Sequence, residues 1–105
     1  MTAPPNEDWR NEATAALFDT VLALESRDEV AAFFRDLCTR HELEEMTARW
    51  QVARLLITGM SYREINAQTG VSTATITRIN QWLQHGTGGY RLGLDRMGLI
   101  TQENT

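Results

Sequence analysis

The chain has 105 residues, 42% of them hydrophobic, and a formal net charge of −4. That apolar share suits one folded domain and excludes a disordered chain, while no apolar run approaches the ~20 residues of a membrane span. Cys38 is the single cysteine, which excludes an internal disulfide, and the amino terminus MTAPPNEDW has neither the basic nor the apolar region of a secretory signal, so a soluble cytoplasmic protein is expected.

Residues 1–8 are polar and Pro-rich and read as a tail; residues 9–100 read as one helical domain, with a second short tail over 101–105. Trp9, Ala13, Ala16, Leu17, Val21 and Leu24 recur at three- and four-residue steps, the spacing of one helix face. Ser26 followed by Glu29 has the form of a capping box, in which the two side chains satisfy orphan backbone N–H groups at a helix start. The helix it opens carries Val30, Phe33, Phe34 and Leu37. Thr39 with Glu42 repeats the signature before a longer helix, with Leu43, Met46, Trp50, Ala53, Leu56 and Ile57 inward and Gly59 as its stop.

A third capping box, Ser61 with Glu64, opens a short helix ending at Gly70. Ser72 caps the next helix, which contains Ile76, Ile79, Trp82 and Leu83 and ends at Gly86. Gly86 to Tyr90 reads as a loop, followed by a short apolar helix or strap through Leu92, Leu94, Met97, Leu99 and Ile100. No segment alternates with period two, so the fold class is all-α.

Charge is unevenly distributed. Residues 1–45 hold eleven acids and four arginines, whereas residues 46–96 hold six arginines against Glu64 and Asp95. Attraction to phosphate depends on the local field, so the basic half outweighs the negative total as a guide to partners. All ten basic residues are arginine, the side chain that grips a phosphate or a guanine edge with two parallel hydrogen bonds.

The segment Ser61–Leu83, SYREINAQTGVSTATITRINQWL, has the plan of a helix-turn-helix spanning about residues 61–84. Ile65, Val71, Ile76 and Ile79 are spaced to fill the angle between its helices. Facing outward are Thr73, Ala74, Thr75, Thr77, Arg78, Asn80 and Gln81, a small polar surface suited to the major groove, where hydroxyls and amides meet base edges and methyls meet thymine. Tyr62, Arg63 and Ser72 stand where contacts to phosphate would fix register. Thr is a mediocre helix former, so a merely solvated face would be better served by Glu or Lys; the Thr-rich surface favours double-stranded DNA as the partner.

ARWQVA (Ala48–Ala53), MSYREI (Met60–Ile65), TGVSTATITRIN (Thr69–Asn80) and HGTGGY (His85–Tyr90) together resemble the Trp repressor superfamily, in particular its YerC/YecD-like branch. The resemblance implies an intertwined all-helical homodimer whose amino-terminal helices share one core and whose two reading heads meet successive major grooves. The implied function is that of a sequence-specific DNA-binding transcriptional regulator, a repressor reading a two-fold symmetric operator. It also implies a candidate ligand pocket at Arg49 and Arg78, which match the two arginines that flank the indole in the tryptophan-sensing repressor. There a glycine follows the second arginine; here Ile79 does, and its branched side chain is expected to occupy the ligand's space, which argues against tryptophan control. Asn66 also departs from the pattern, because helix-turn-helix units have Ala at that packed position, and a polar group there needs a hydrogen-bond partner or exposure.

Cys38, His41, Glu44 and Glu45 lack the second ligand pair that a zinc site requires, so neither a metal nor another cofactor is expected. No GxSxG, HExxH or phosphate-binding Gly-rich loop is present, and no enzyme is expected. Tyr90, after two glycines, reads as a pin holding its loop to the core in preference to a contact with the DNA backbone, and Trp50 reads as core. Two rival readings remain at this level: a protein-interaction module that keeps the helix-turn-helix as scaffold, and a sensor of an unidentified small molecule other than tryptophan.

Overall fold

The computed structural model describes residues 9–101 as six α-helices: α1 (Glu12–Ala23), α2 (Arg27–Leu37), α3 (Arg40–Leu56), α4 (Tyr62–Thr69), α5 (Thr73–His85) and α6 (Gly89–Arg96). No strand occurs among the described residues, as the periodicity requires. The two expected tails, 1–8 and most of 101–105, lie outside the described residues. The chain divides into two compact units, residues 1–40 and 41–105.

In the first unit, α1 opens with a capping box that the sequence reading did not anticipate. The Asn11 side chain accepts from the Thr14 backbone N–H, and Thr14 Oγ1 accepts from the Asn11 N–H, each at 2.9 Å. Helix α2 starts at Ser26 as expected, with Ser26 Oγ accepting from the Glu29 N–H. The Glu29 carboxylate reaches one residue further back than a capping box requires and accepts from the Glu25 N–H at 2.8 Å. Neither α1 nor α2 contains a buried residue. Large apolar side chains stay open: Leu22 is 82% exposed, and Phe18 and Leu37 are exposed as well.

The second unit holds the core. Val52 and Ala53 of α3, Ile65 of α4, and Ile76 and Ile79 of α5 form one fully buried cluster, with Trp50, Leu55, Leu56, Met60, Tyr62, Val71 and Tyr90 packed around it. Val52 was absent from the expected inward set. It is recruited because α4 and α5 together cover a wider arc of α3 than one helical stripe. Gly59, at φ +86, lies in the turn between α3 and α4.

Trp82 is 47% exposed, because the buried face of α5 follows Ile76, Ile79 and Leu83, and Trp82 lies about 100° around the helix from Leu83. The loop expected over Gly86–Tyr90 is shorter, since α6 already begins at Gly89. The Gly88 carbonyl accepts from Leu92 N–H at 2.9 Å, while burial of Leu94 and a stack of Tyr90 on Trp50 hold the new helix down. Tertiary contact thus overrides the poor helix propensity of the glycines.

Candidate nucleic-acid interface

Helices α4 and α5 pack directly on each other and form the helix-turn-helix. The capping box at the start of α4 is complete: Ser61 Oγ accepts from Glu64 N–H and the Glu64 carboxylate accepts from Ser61 N–H, both at 3.1 Å. These bonds to Ser61, backbone first, hold the exposed Glu64 carboxyl below its ordinary value of 4.5, so the one acid of α4 is anionic but turned to its own helix end. Gly70 ends the helix in the left-handed conformation, φ +77, with its N–H donating to the Asn66 carbonyl at 2.8 Å. Asn66 itself is exposed and donates through Nδ2 to the Val71 carbonyl at 2.8 Å. The polar departure at this position is therefore solvated and also ties the helix to the turn.

Ser72 caps α5, accepting from Thr75 N–H at 3.2 Å and donating to Thr75 Oγ1 at 3.0 Å. Thr75 is half-buried, so this pair builds the helix start more than it faces outward. Thr73, Ala74, Thr77, Arg78 and Gln81 are all exposed. At about 100° per residue they cover an arc of about 140°, opposite the buried isoleucines. Thr77 Oγ1 donates to the Thr73 carbonyl at 2.9 Å. Its proton is thus committed to the helix, and what it presents outward is an acceptor oxygen and a methyl group. The first N–H groups of α5 have no partner within the helix, as at any helix start, and carry partial positive charge toward the solvent.

Among the charged candidates, Arg63 in the first turn of α4 and Arg78 on α5 are exposed. Tyr62 is half-buried against the core, and its hydroxyl accepts from Asn80 Nδ2 at 3.0 Å. Asn80, read from the sequence as part of the outward face, is therefore turned toward α4. The two residues are 18 positions apart, and nothing in the spacing announces the bond.

Arg49 is half-buried on α3 and close enough to Tyr90 to act on it electrostatically, although burial is the stronger influence and raises the phenol above its ordinary pKa of 10. The Tyr90 ring lies parallel to Trp50, with centroids 6.2 Å apart and an interplanar angle of 9°. This is the pinning role expected of it. Ile79, which follows Arg78, is fully buried in the core cluster. Arg91 is tied to the end of α5, donating to the Leu83 carbonyl at 3.0 Å and to Gln84 at 2.9 Å, so it is spent on structure.

Comparison with known proteins gives a consistent picture. The sequence profile described as Trp repressor protein matches residues 12–98. The uncharacterized protein YerC of Bacillus subtilis is 40% identical over 88 residues, covering 84% of this chain and 85% of that protein. Two solved structures are similar throughout. One is a Trp-repressor-type protein from Staphylococcus aureus, with TM-score 0.85, 41% identity, and coverage of 95% of this chain and 100% of that one. The other is a TrpR-like protein from Eubacterium eligens, with TM-score 0.84, 35% identity, and coverage of 91% and 99%.

Proposed function

Since the chain belongs to the Trp repressor family, we propose that it is a transcriptional regulator of the cytoplasm that binds double-stranded DNA as a homodimer and acts as a repressor. The observation that carries this reading is the division of α5 into two faces. Ile76, Ile79 and Leu83 are buried, while Thr73, Ala74, Thr77, Arg78 and Gln81 form an exposed polar strip without a single acid. A helix held by its apolar face and presenting small side chains can approach base edges closely. Thr73, Ala74, Thr77, Arg78 and Gln81 read the groove. Tyr62 and Arg63 contact phosphate, and Ser72 with Thr75 sets the helix start against the backbone.

A two-fold pair of such helices reads a symmetric operator with half-sites about one helical turn apart. Tryptophan is not the effector in this reading: the residue after Arg78 is a core isoleucine, and Tyr90 already occupies the face of Trp50. An effector of another kind would act near Arg49 and Arg78.

Selection of bound sequences from a random DNA pool tests the proposal, with a two-fold symmetric site as the expected result. Binding to random duplex should also fall steeply between about 50 and about 200 mM salt, because contacts to phosphate release counterions. Arg78→Ala is expected to weaken the selected site by about 1–3 kcal/mol and to relax its sequence preference. Arg63→Ala should weaken all duplexes alike and reduce the salt slope by about one unit. No binding at low salt would reject the reading in favour of a protein-interaction module.

A further inference from the structure

Resting on the DNA-binding reading above, we propose that Asn80 is a positioning residue that turns the Tyr62 hydroxyl proton toward a DNA phosphate oxygen. A phenol oxygen can donate one hydrogen bond and accept others. In this protein the accepting side is taken, since Asn80 Nδ2 donates to Tyr62 Oη at 3.0 Å. The amide nitrogen only donates and cannot accept, so with its N–H on the phenol oxygen the phenol proton must lie away from it. Among the described residues that proton has no protein acceptor.

The rest of the tyrosine cannot swing to find one. Its ring is packed against the buried cluster of Val52, Ala53, Ile65, Ile76 and Ile79, and its backbone is the first residue of α4, fixed by the Ser61–Glu64 capping box. Asn80 is equally fixed, one residue beyond the fully buried Ile79 on α5. The bond therefore joins the two helices of the helix-turn-helix at a part-buried position. It leaves one oriented donor, next in sequence to exposed Arg63 and held by Asn80 at a position about 20° around α5 from Thr73.

A neutral donor at the border of a groove-reading helix, next to an arginine, fits an anionic oxygen of the DNA backbone. It fits a base edge less well, because its ring is anchored in the protein and cannot extend into the groove. The contact is independent of sequence, and as an uncharged donor Tyr62 displaces no counterion. Both properties separate it from Arg63 and from Arg78.

Four full-length proteins test this: wild type, Tyr62→Phe, Asn80→Ala and the double variant. Each is titrated with random-sequence duplex at about 50 mM salt and with a duplex selected by the wild type, alongside its melting curve. Each single substitution is expected to weaken both duplexes by the same factor, about three- to ten-fold, with the salt slope unchanged. The double variant should bind no worse than the weaker single variant, because both act through one proton. Asn80→Gln, which keeps an amide but displaces the donor by one methylene, should match Asn80→Ala and replaces it should the alanine variant melt early.

Full affinity in Tyr62→Phe, full affinity in Asn80→Ala and Asn80→Gln, losses that multiply in the double variant, or a loss confined to the selected duplex would each overturn the proposal. A wild type that binds neither duplex at low salt instead rejects the DNA reading on which it rests.

Discussion

At Gly70 the backbone is left-handed and nothing lies within 4 Å of the place a Cβ would take. Gly70→Ala therefore meets no clash, and its cost is purely conformational, about 1–2 kcal/mol. Urea unfolding should show a lower midpoint with an unchanged slope. Glu64 is a second single-residue case. Its carboxyl pKa is depressed in the folded chain by its bonds to Ser61, so the contribution is present above the ordinary 4.5 and is lost as pH falls through the depressed folded value. The stability gap between wild type and Glu64→Gln, measured by denaturation across pH, should therefore be visible at neutral pH and close in acid. A gap that persists at a pH where the wild-type carboxyl is protonated would contradict the assignment. Both residues were legible in the sequence, because a capping box and a C-terminal glycine are local chemistry. The Tyr62–Asn80 bond was not, since its partners meet only after α4 and α5 have docked.

Among the helices, α6 depends most on what lies beneath it. Gly89 and Gly93 give it little intrinsic helicity, and it is held by the burial of Leu94 and the stack of Tyr90 on Trp50. Gly93 makes room for that arrangement, for a Cβ there would stand 3.0 Å from Trp50 Cη2. Tyr90→Ala should cost about 2 kcal/mol, since it removes a half-buried ring and its stacking partner, whereas Tyr90→Phe keeps the ring and most of the stability. The phenol adds a pH dependence. Burial raises its folded pKa above the ordinary 10, so its contribution is complete below 10 and declines as pH rises through the folded value. Tyr90→Phe should lose less stability than wild type in strongly alkaline solution, as a thermal-melt series would reveal.

For the molecule as a whole, the informative feature is apolar surface left open in the first unit. No residue of α1 or α2 is buried, and Leu22 is 82% exposed. The proposed homodimer accounts for this surface if these helices meet a second copy. In a monomer, Leu22→Asp would sit on an ordinary exposed site and shift stability by no more than about 0.5 kcal/mol. In the dimer it should drive dissociation at micromolar concentration, measured by sedimentation, and the wild-type melting temperature should rise with protein concentration. A wild type that sediments as a monomer and melts independently of concentration would remove the basis for paired reading heads. The charge asymmetry belongs to this scale as well: the acids concentrate before residue 46 and the helix-turn-helix arginines after it.

The sequence by itself determined the all-α class, the starts of α2, α4 and α5, and the plan of the helix-turn-helix, because caps, glycines and three-four apolar spacing act within a few residues of one another. The docked helices decided the rest. Val52 became core and Trp82 surface according to which arc of each helix its neighbours cover. The GTGGY segment became partly helical because Trp50 lay ready to receive Tyr90. Asn80 was withdrawn from the exposed strip of α5 by a hydroxyl 18 residues away. Each of these outcomes rests on a contact between elements distant in the chain, and local periodicity carries no information about which distant side chain will arrive.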